Sequence, residues 1–202
     1  MDAKRARQIV VGLIGSGKAS PHDHLAYELG RMVAEAGYVL LTGGGTGVMQ
    51  AASQGAAEAG GLVIGILPND RPDHPLYRGY PNPYVHIPIF SGMGDARNAI
   101  NVNSSDVVIC LPGGAGTLSE VGLALKRGKH VVVVSWPELV LPPECPGDLV
   151  QRAADAQEVM RIPHSAPRNT HFSQYSLAPA NPGYFWLRSC FAGTGCNKVR
   201  LL

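Results

Sequence analysis

Leu111-Pro112-Gly113-Gly114-Ala115-Gly116-Thr117-Leu118-Ser119-Glu120 is the stretch whose reading decides the fold. Asp106 to Cys110 (D-V-V-I-C) precedes it, a β-branched apolar run that reads as a buried strand. Leu118, Val121 and Leu125 follow at helical spacing. The stretch is therefore a strand–glycine loop–helix junction. Three glycines in four positions let a ligand approach the main chain. Thr117 suits a helix start, and the free N–H groups and positive dipole end of that helix point back into the loop. A phosphate is the natural occupant.

The same grammar repeats outward. Ile9 to Ile14 reads as a first strand, with Gly15-Ser16-Gly17 as its turn. Ser20-Pro21-His22-Asp23 reads as a helix start: serine caps, proline fits the first helical position and Asp23 closes a capping box. Leu25, Leu29, Met32, Val33 and Ala36 make an apolar helix face that Gly37 ends. Tyr38 to Leu41 is a second strand, feeding the glycine run Gly43-Gly44-Gly45-Thr46-Gly47 and a small-residue helix. Leu62 to Leu67 is a third strand, Tyr84 to Pro88 is strand-like, and Met93 to Ser105 reads as a helix. That helix places Arg97, Asn101 and Ser104 on one face. His130 to Trp136 is a further strand. This alternation predicts a Rossmann-like, doubly wound α/β fold with a mostly parallel sheet and helices on both faces. Ligands bind such folds at the carboxyl edge of the strands, where both glycine loops fall. Between the third strand and the strand-like segment, Pro68 to Pro83 has no period and five prolines. It reads as a long loop of the kind that covers a site.

The chain has 202 residues, of which 45% are hydrophobic, so one domain with a sizeable core is expected. We expect that domain over residues 1–140. Half of the 16 prolines lie from Pro137 onward, and residues 141–202 read as an irregular tail with one short helix at Gln151 to Met160. A formal net charge of +2 and few aromatics give no argument for nucleic acid or an anionic membrane. The longest apolar runs are strand length, and Met1 to Gln8 lacks a signal-peptide core. Cys110, Cys145, Cys190 and Cys196 have no metal-ligand spacing, which suits a reducing, cytoplasmic setting.

Gly12 to Ser20 nearly matches a Walker A loop, with Gly12, Gly17 and Lys18 in place. The magnesium-binding position is Ala19, however, and Gly12 falls inside the strand, so a glycine turn lining a nucleotide-sized pocket is the better reading. Gly15-x-Gly17 begins a dinucleotide fingerprint, but Ser20 stands where the third glycine belongs. His22 and His24 point to different helix faces. Asp70, Asp73 and His74 have no diagnostic spacing and read as solvated loop charges. Arg97, with a planar fork of donors, and Glu120, in the first turn of the glycine-loop helix, flank one candidate pocket. Glu120 could complement the helix dipole, accept from sugar hydroxyls, or assist cleavage at an anomeric carbon.

Pro112 to Glu120 resembles the PGGxGTxxE signature of the LONELY GUY (LOG) proteins, and Gly43 to Met49 resembles their GGGxxGxM element. The resemblance covers about Val10 to Trp136. LOG enzymes are phosphoribohydrolases that cleave nucleoside 5′-monophosphates, including cytokinin forms, to base and ribose 5-phosphate. The resemblance implies that Gly113, Gly114, Ala115, Gly116 and Thr117 hold the phosphate, with Arg97 and Glu120 as the catalytic pair. Where LOG proteins usually carry Arg-Lys and Glu-Glu, this chain has Arg97-Asn98 and Ser119-Glu120. Those positions, with Asn101 and Ser104-Ser105-Asp106, look closer to a sister branch, the molybdenum cofactor carrier proteins. The resemblance to that branch implies a bound molybdopterin-type cofactor, with the metal chelated by its pterin, no protein-bound metal, a homo-oligomer (dimer or tetramer) and molybdoenzymes as partners. The expected ligand contacts are Gly15, Ser16, Gly17, Gly43, Gly44, Gly45, Thr46, Gly47, Arg97, Asn98, Pro112, the Gly113–Thr117 loop and Glu120.

Overall fold

The structure is a computed structural model that describes residues 7–164 and 175–176. Seven strands form one sheet: β1 (Val10–Ile14), β2 (Val39–Thr42), β3 (Val63–Leu67), β4 (Ile87–Phe90), β5 (Val107–Cys110), β6 (Val131–Val134) and β7 (Val150–Ala153). The order is β4-β3-β2-β1-β5-β6-β7, and every pairing is parallel. The Rossmann-like, doubly wound expectation is met. The chain runs outward from β1 to β4, then returns to β5 on the other side of β1. The topological switch point therefore lies between β1 and β5, the position at which such sheets bind ligands. A two-residue antiparallel ladder, β8 (Pro163–His164) with β9 (Tyr175–Ser176), stands apart.

Strand alternation divides the core into two layers. Val11, Leu13, Leu40, Val63, Val107, Ile109, Val132 and Val134 face α1 (Asp23–Glu35), α2 (Val48–Glu58) and α5 (Ala156–Arg161). Ile14, Val108, Cys110, Val131 and Val133 face α3 (Arg97–Ser104) and α4 (Ala115–Lys126). Both layers are built largely from β-branched residues, as strands covered on both faces require. Gly12 lies inside β1, where a Cβ would collide with the Ser105 hydroxyl, so it serves strand packing and the Walker A reading fails.

Several boundaries differ from the sequence reading. α1 begins at Asp23, after a turn through Pro21 and His22. Ser20 and Asp23 still pair across that turn: the Ser20 hydroxyl donates to Oδ1 at 3.0 Å and the Ser20 N–H to Oδ2 at 3.3 Å. β4 sits three residues later than expected and includes Pro88, which an edge strand tolerates. The Met93–Ser105 segment is a 3₁₀ turn, Gly94–Ala96, followed by α3. The largest correction lies beyond residue 140. Gln151–Met160 is not one helix but β7 followed by α5. Ala153, Ala156, Val159 and Met160 are buried in the main core, so the sheet and core extend through this segment. Asp155 caps α5 by accepting the Glu158 N–H at 2.8 Å, while Glu158 accepts the Ala154 N–H at 2.8 Å. The rest of the expected tail, residues 165–174 and 177–202, lies outside the described residues.

α1 and α2 touch backbone to backbone. A Cβ at Gly30 would strike the Ala52 carbonyl, and one at Gly55 the Tyr27 carbonyl. Alanine would add about 1 kcal/mol of helix propensity at either site. It would also overpack a contact, which costs about 1–3 kcal/mol, and here the obstacle is main chain that cannot rotate away. Gly30→Ala and Gly55→Ala should each lower the urea midpoint; a raised midpoint would show that the helices separate freely. A chain ending at residue 140 should lose its cooperative transition, because β6 and α1 lose β7 and α5; an intact transition would restore the boundary expected from sequence.

Candidate functional site

A cavity of about 490 Å³ lies at the carboxyl ends of β1, β2 and β5, over the switch point. Three main-chain turns build it. The Ser16 N–H donates to the Pro112 carbonyl at 3.1 Å, and the Ser16 carbonyl accepts the Val48 N–H at 3.0 Å. The turn after β1 is thereby tied to the glycine loops on both sides. Thr46 adds a hydroxyl bond to the Gly17 carbonyl at 2.6 Å. Gly47, at φ 61° and ψ −133°, is packed against the Ser16 and Lys18 carbonyls, a conformation and a space open only to glycine.

α4 opens at Ala115, with Gly114 as its N-cap and no side chain capping it. Gly114, Gly116 and Thr117 line the cavity, so the positive end of the helix faces the space. Gly113 is needed for packing, since a Cβ there would meet the Thr117 side chain and the Gly15 main chain.

Arg97 and Glu120 meet across this space. Arg97 opens α3, and its guanidinium lies against Gly43, where any Cβ would collide with it. Its Nη1 is 3.6 Å from Glu120 Oε1, an attraction too long for a hydrogen bond. Asn101, one turn along α3, donates from Nδ2 to the same oxygen at 2.8 Å. Glu120 is 6% exposed, and burial pushes its carboxyl above the ordinary 4.5; the Asn101 bond and the Arg97 charge pull it back only in part. Among the described residues, Arg97 Nε and Nη1 and Asn101 Oδ1 are buried without a hydrogen-bond partner. Three orphaned polar atoms around one cavity suit a ligand carrying acceptors and a donor.

Asn98 donates to the Ser119 hydroxyl at 2.9 Å, and Ser119 donates to the Gly116 carbonyl at 2.7 Å. The two departures from the LOG pattern are therefore one contact. A neutral hydrogen bond pins the first turn of α4 where that pattern places a lysine and a glutamate.

Of the residues expected at the site, Gly15, Ser16, Gly17, Gly43, Arg97, Asn98, Gly114, Gly116, Thr117 and Glu120 line the cavity. Gly44, Gly45, Thr46, Gly47, Pro112, Gly113 and Ala115 do not line it. They belong to the turns around it, because the expected set took whole motifs while the fold turns only some residues of the two longer glycine runs toward the space. Ser104 is exposed, so the expected face of α3 is instead Arg97, Asn98 and Asn101. Lys18, Met49, Tyr80 and Asp95 also line the cavity and were not expected there. Tyr80 comes from the Pro68–Pro83 loop, which accordingly reaches the site. No periodic pattern marks it; the one sequence signal was the loop's unusual length. Asp70, Asp73 and His74 contribute nothing to the cavity wall. Burial, with the Glu120 charge second, pushes the Cys110 thiol up, so it stays protonated as a core residue. No helix among the described residues is long and apolar enough to cross a membrane.

Solved structures extend this picture. The molybdenum cofactor binding protein of the phototrophic bacterium Rippkaea orientalis superposes with a TM-score of 0.63 at 40% identity, covering 75% of this chain and 93% of that one. The molybdenum cofactor carrier protein of Chlamydomonas reinhardtii gives 0.60 at 38% identity, with the same coverage. Rice cytokinin riboside 5′-monophosphate phosphoribohydrolase LOG is 31% identical over 124 residues, 61% of this chain. The chain spans only 46% of the length of that LOG relative. The description of the SLOG cluster4 family matches residues 8–168, from before β1 to beyond α5, and the chain belongs to that family.

Proposed function

We propose that this protein binds a phosphorylated, nucleotide-like small molecule and acts as a carrier of the molybdenum cofactor. The observation that carries the reading is the uncapped start of α4 opposite Arg97, whose Nε and Nη1 have no hydrogen-bond partner among the described residues. Main-chain N–H groups and a guanidinium converging on one space form a phosphate receptor. The carrier reading draws on the cofactor-binding relatives, of which the chain spans 93%, and on the neutral Asn98–Ser119 contact. In this reading the metal stays on its pterin as part of the cargo, and molybdoenzymes receive it. A homo-oligomer in the cytoplasm is part of the same proposal.

A second reading rests on Glu120. A buried carboxyl held by Asn101 beside Arg97 is equipped to stabilise an oxocarbenium-like centre, as in a LOG-type phosphoribohydrolase. Burial, which raises its pKa, works against that role, because desolvation disfavours the charged form that the role needs.

Incubation with AMP and with a cytokinin riboside 5′-monophosphate, followed by chromatography of free base, separates the readings. The carrier reading expects no base release from folded protein and saturable binding of molybdenum cofactor. Release that an Arg97→Ala, Glu120→Gln double variant lacks would make the protein a hydrolase. Arg97→Ala alone should weaken phosphate-ligand binding by about 10- to 100-fold, the worth of charged hydrogen bonds; unchanged affinity would remove Arg97 from the receptor.

Glu120 also leaves a signature in stability. Its folded-state pKa is raised, so above 4.5 the folded protein keeps a proton that the unfolded chain releases. The stabilisation is full below 4.5 and is lost as pH rises through the folded value. Urea midpoints of Glu120→Gln should therefore gain on wild type across that window. Parallel curves would mean that Glu120 titrates like a solvated carboxylate.

A further inference from the structure

The Pro68–Pro83 loop is anchored to the glycine run after β2. Asn82, 3% exposed, donates its N–H to the Gly44 carbonyl at 2.8 Å and its Nδ2 to the Gly45 carbonyl at 2.9 Å. Two residues earlier, Tyr80 lies against Gly45, where a Cβ would collide with the ring and its hydroxyl. Bare main chain thus backs the ring. Tyr77 meets it edge-on, with centroids 6.4 Å apart at 80°, and His74 tilts against Tyr77 at 5.1 Å. Tyr80 lines the cavity, as does Met49. Gly43 carries the Arg97 guanidinium and Gly45 carries the Tyr80 ring, so the polar and aromatic walls stand side by side on one glycine run.

We infer that Tyr80 is a specificity-determining residue, the platform on which the planar heterocycle of the ligand lies. The inference rests on the phosphate reading of α4 and deepens it: the ligand class is a phosphate ester joined to a flat heteroaromatic ring. A ring already held by Gly45, Tyr77 and the Asn82 anchor loses little freedom on binding. Stacking on it needs no particular hydrogen-bond pattern, because every such ring has a π-face. The Met49 thioether, whose methyl lies by Gly17, adds a polarizable group elsewhere on the cavity wall. The cavity volume, about 490 Å³, falls within the roughly 300–1,000 Å³ of small-molecule sites.

Calorimetric titration with three probes tests this: AMP, 6-hydroxymethylpterin monophosphate and ribose 5-phosphate. In wild type, at least one ring-bearing probe should bind more tightly than ribose 5-phosphate. Tyr80→Ala should weaken that probe by about tenfold or more, the scale of ring stacking, and leave ribose 5-phosphate unchanged. Tyr80→Phe should keep the affinity, and Tyr80→Leu, which retains bulk without a π-face, should lose most of it. The ring-bearing probe that shows the loss identifies the purine or the pterin as the preferred source. Equal losses for all probes, or full affinity in Tyr80→Leu, would overturn the platform. So would tight ribose 5-phosphate binding with no gain from a ring, which would leave the phosphate reading standing. Absence of binding by every probe would overturn both.

Discussion

The peptide of Ser16 holds the site together. Its N–H is fixed by the loop after β5 and its carbonyl by the first turn of α2, while β1 runs beneath. Main-chain hydrogen bonds of this kind do not depend on side-chain rotamers, so they tie the carboxyl ends of three strands to one another. The glycines follow from that lock. Gly47 must be glycine because the Ser16 and Lys18 carbonyls occupy the space of a side chain, and Gly113 because Thr117 and Gly15 do. The glycine runs serve this closure first. Only some of their members are left facing the cavity.

The cavity wall concentrates costs: three of the six buried side-chain atoms that lack a hydrogen-bond partner among the described residues belong to its lining. A buried carboxyl with a raised pKa, and two guanidinium nitrogens and an amide oxygen without hydrogen-bond partners among the described residues, surround one space. Leaving a buried polar group unmade costs about 1–3 kcal/mol, and more for a charge. A hydrophobic filling of the same volume would be cheaper. Departures from local consistency concentrated at one place mark a functional site more firmly than any single motif does. Gly43 strengthens the point, since its missing side chain lets the guanidinium settle on the main chain next to the carboxylate.

Much of this was legible in the sequence, for stated reasons. The strands β1, β3, β5 and β6 are β-branched runs buried on both faces, and such runs announce themselves. The glycine loops follow them directly, so their position at the carboxyl edge was readable, as was the pairing of Arg97 with Glu120. β7 was not readable. Val150-Gln151-Arg152-Ala153 lacks apolar alternation and becomes a strand by pairing with Val131–Val134, a tertiary effect. Its arginine is occupied with the Trp136 and Leu139 carbonyls, which fixes the return of the chain. The Asp155-x-x-Glu158 cap of α5 is a sequence-level helix start that limits the helix to the residues after Asp155. For Tyr80 only the length of its loop was legible, because its place depends on Asn82 bonds to carbonyls some forty positions away.

The charges at the cavity sharpen what it can recognise. Arg97 and Lys18 line it, and so do Glu120 and Asp95, a formal balance of two against two. Burial of Glu120 raises its pKa, which disfavours its charged form without adding a positive group. A site built to gather anions by net charge would look different, with basic side chains clustered and acidic ones absent. Here an anion is met by oriented main-chain N–H groups at the start of α4 and by a single guanidinium held in place. Such dipoles act within the first turn and reward position more than charge. Recognition in this cavity is therefore short-range and geometric, and discrimination falls to the neutral walls: the Asn98–Ser119 contact that fixes the helix turn, and the aromatic section beside it.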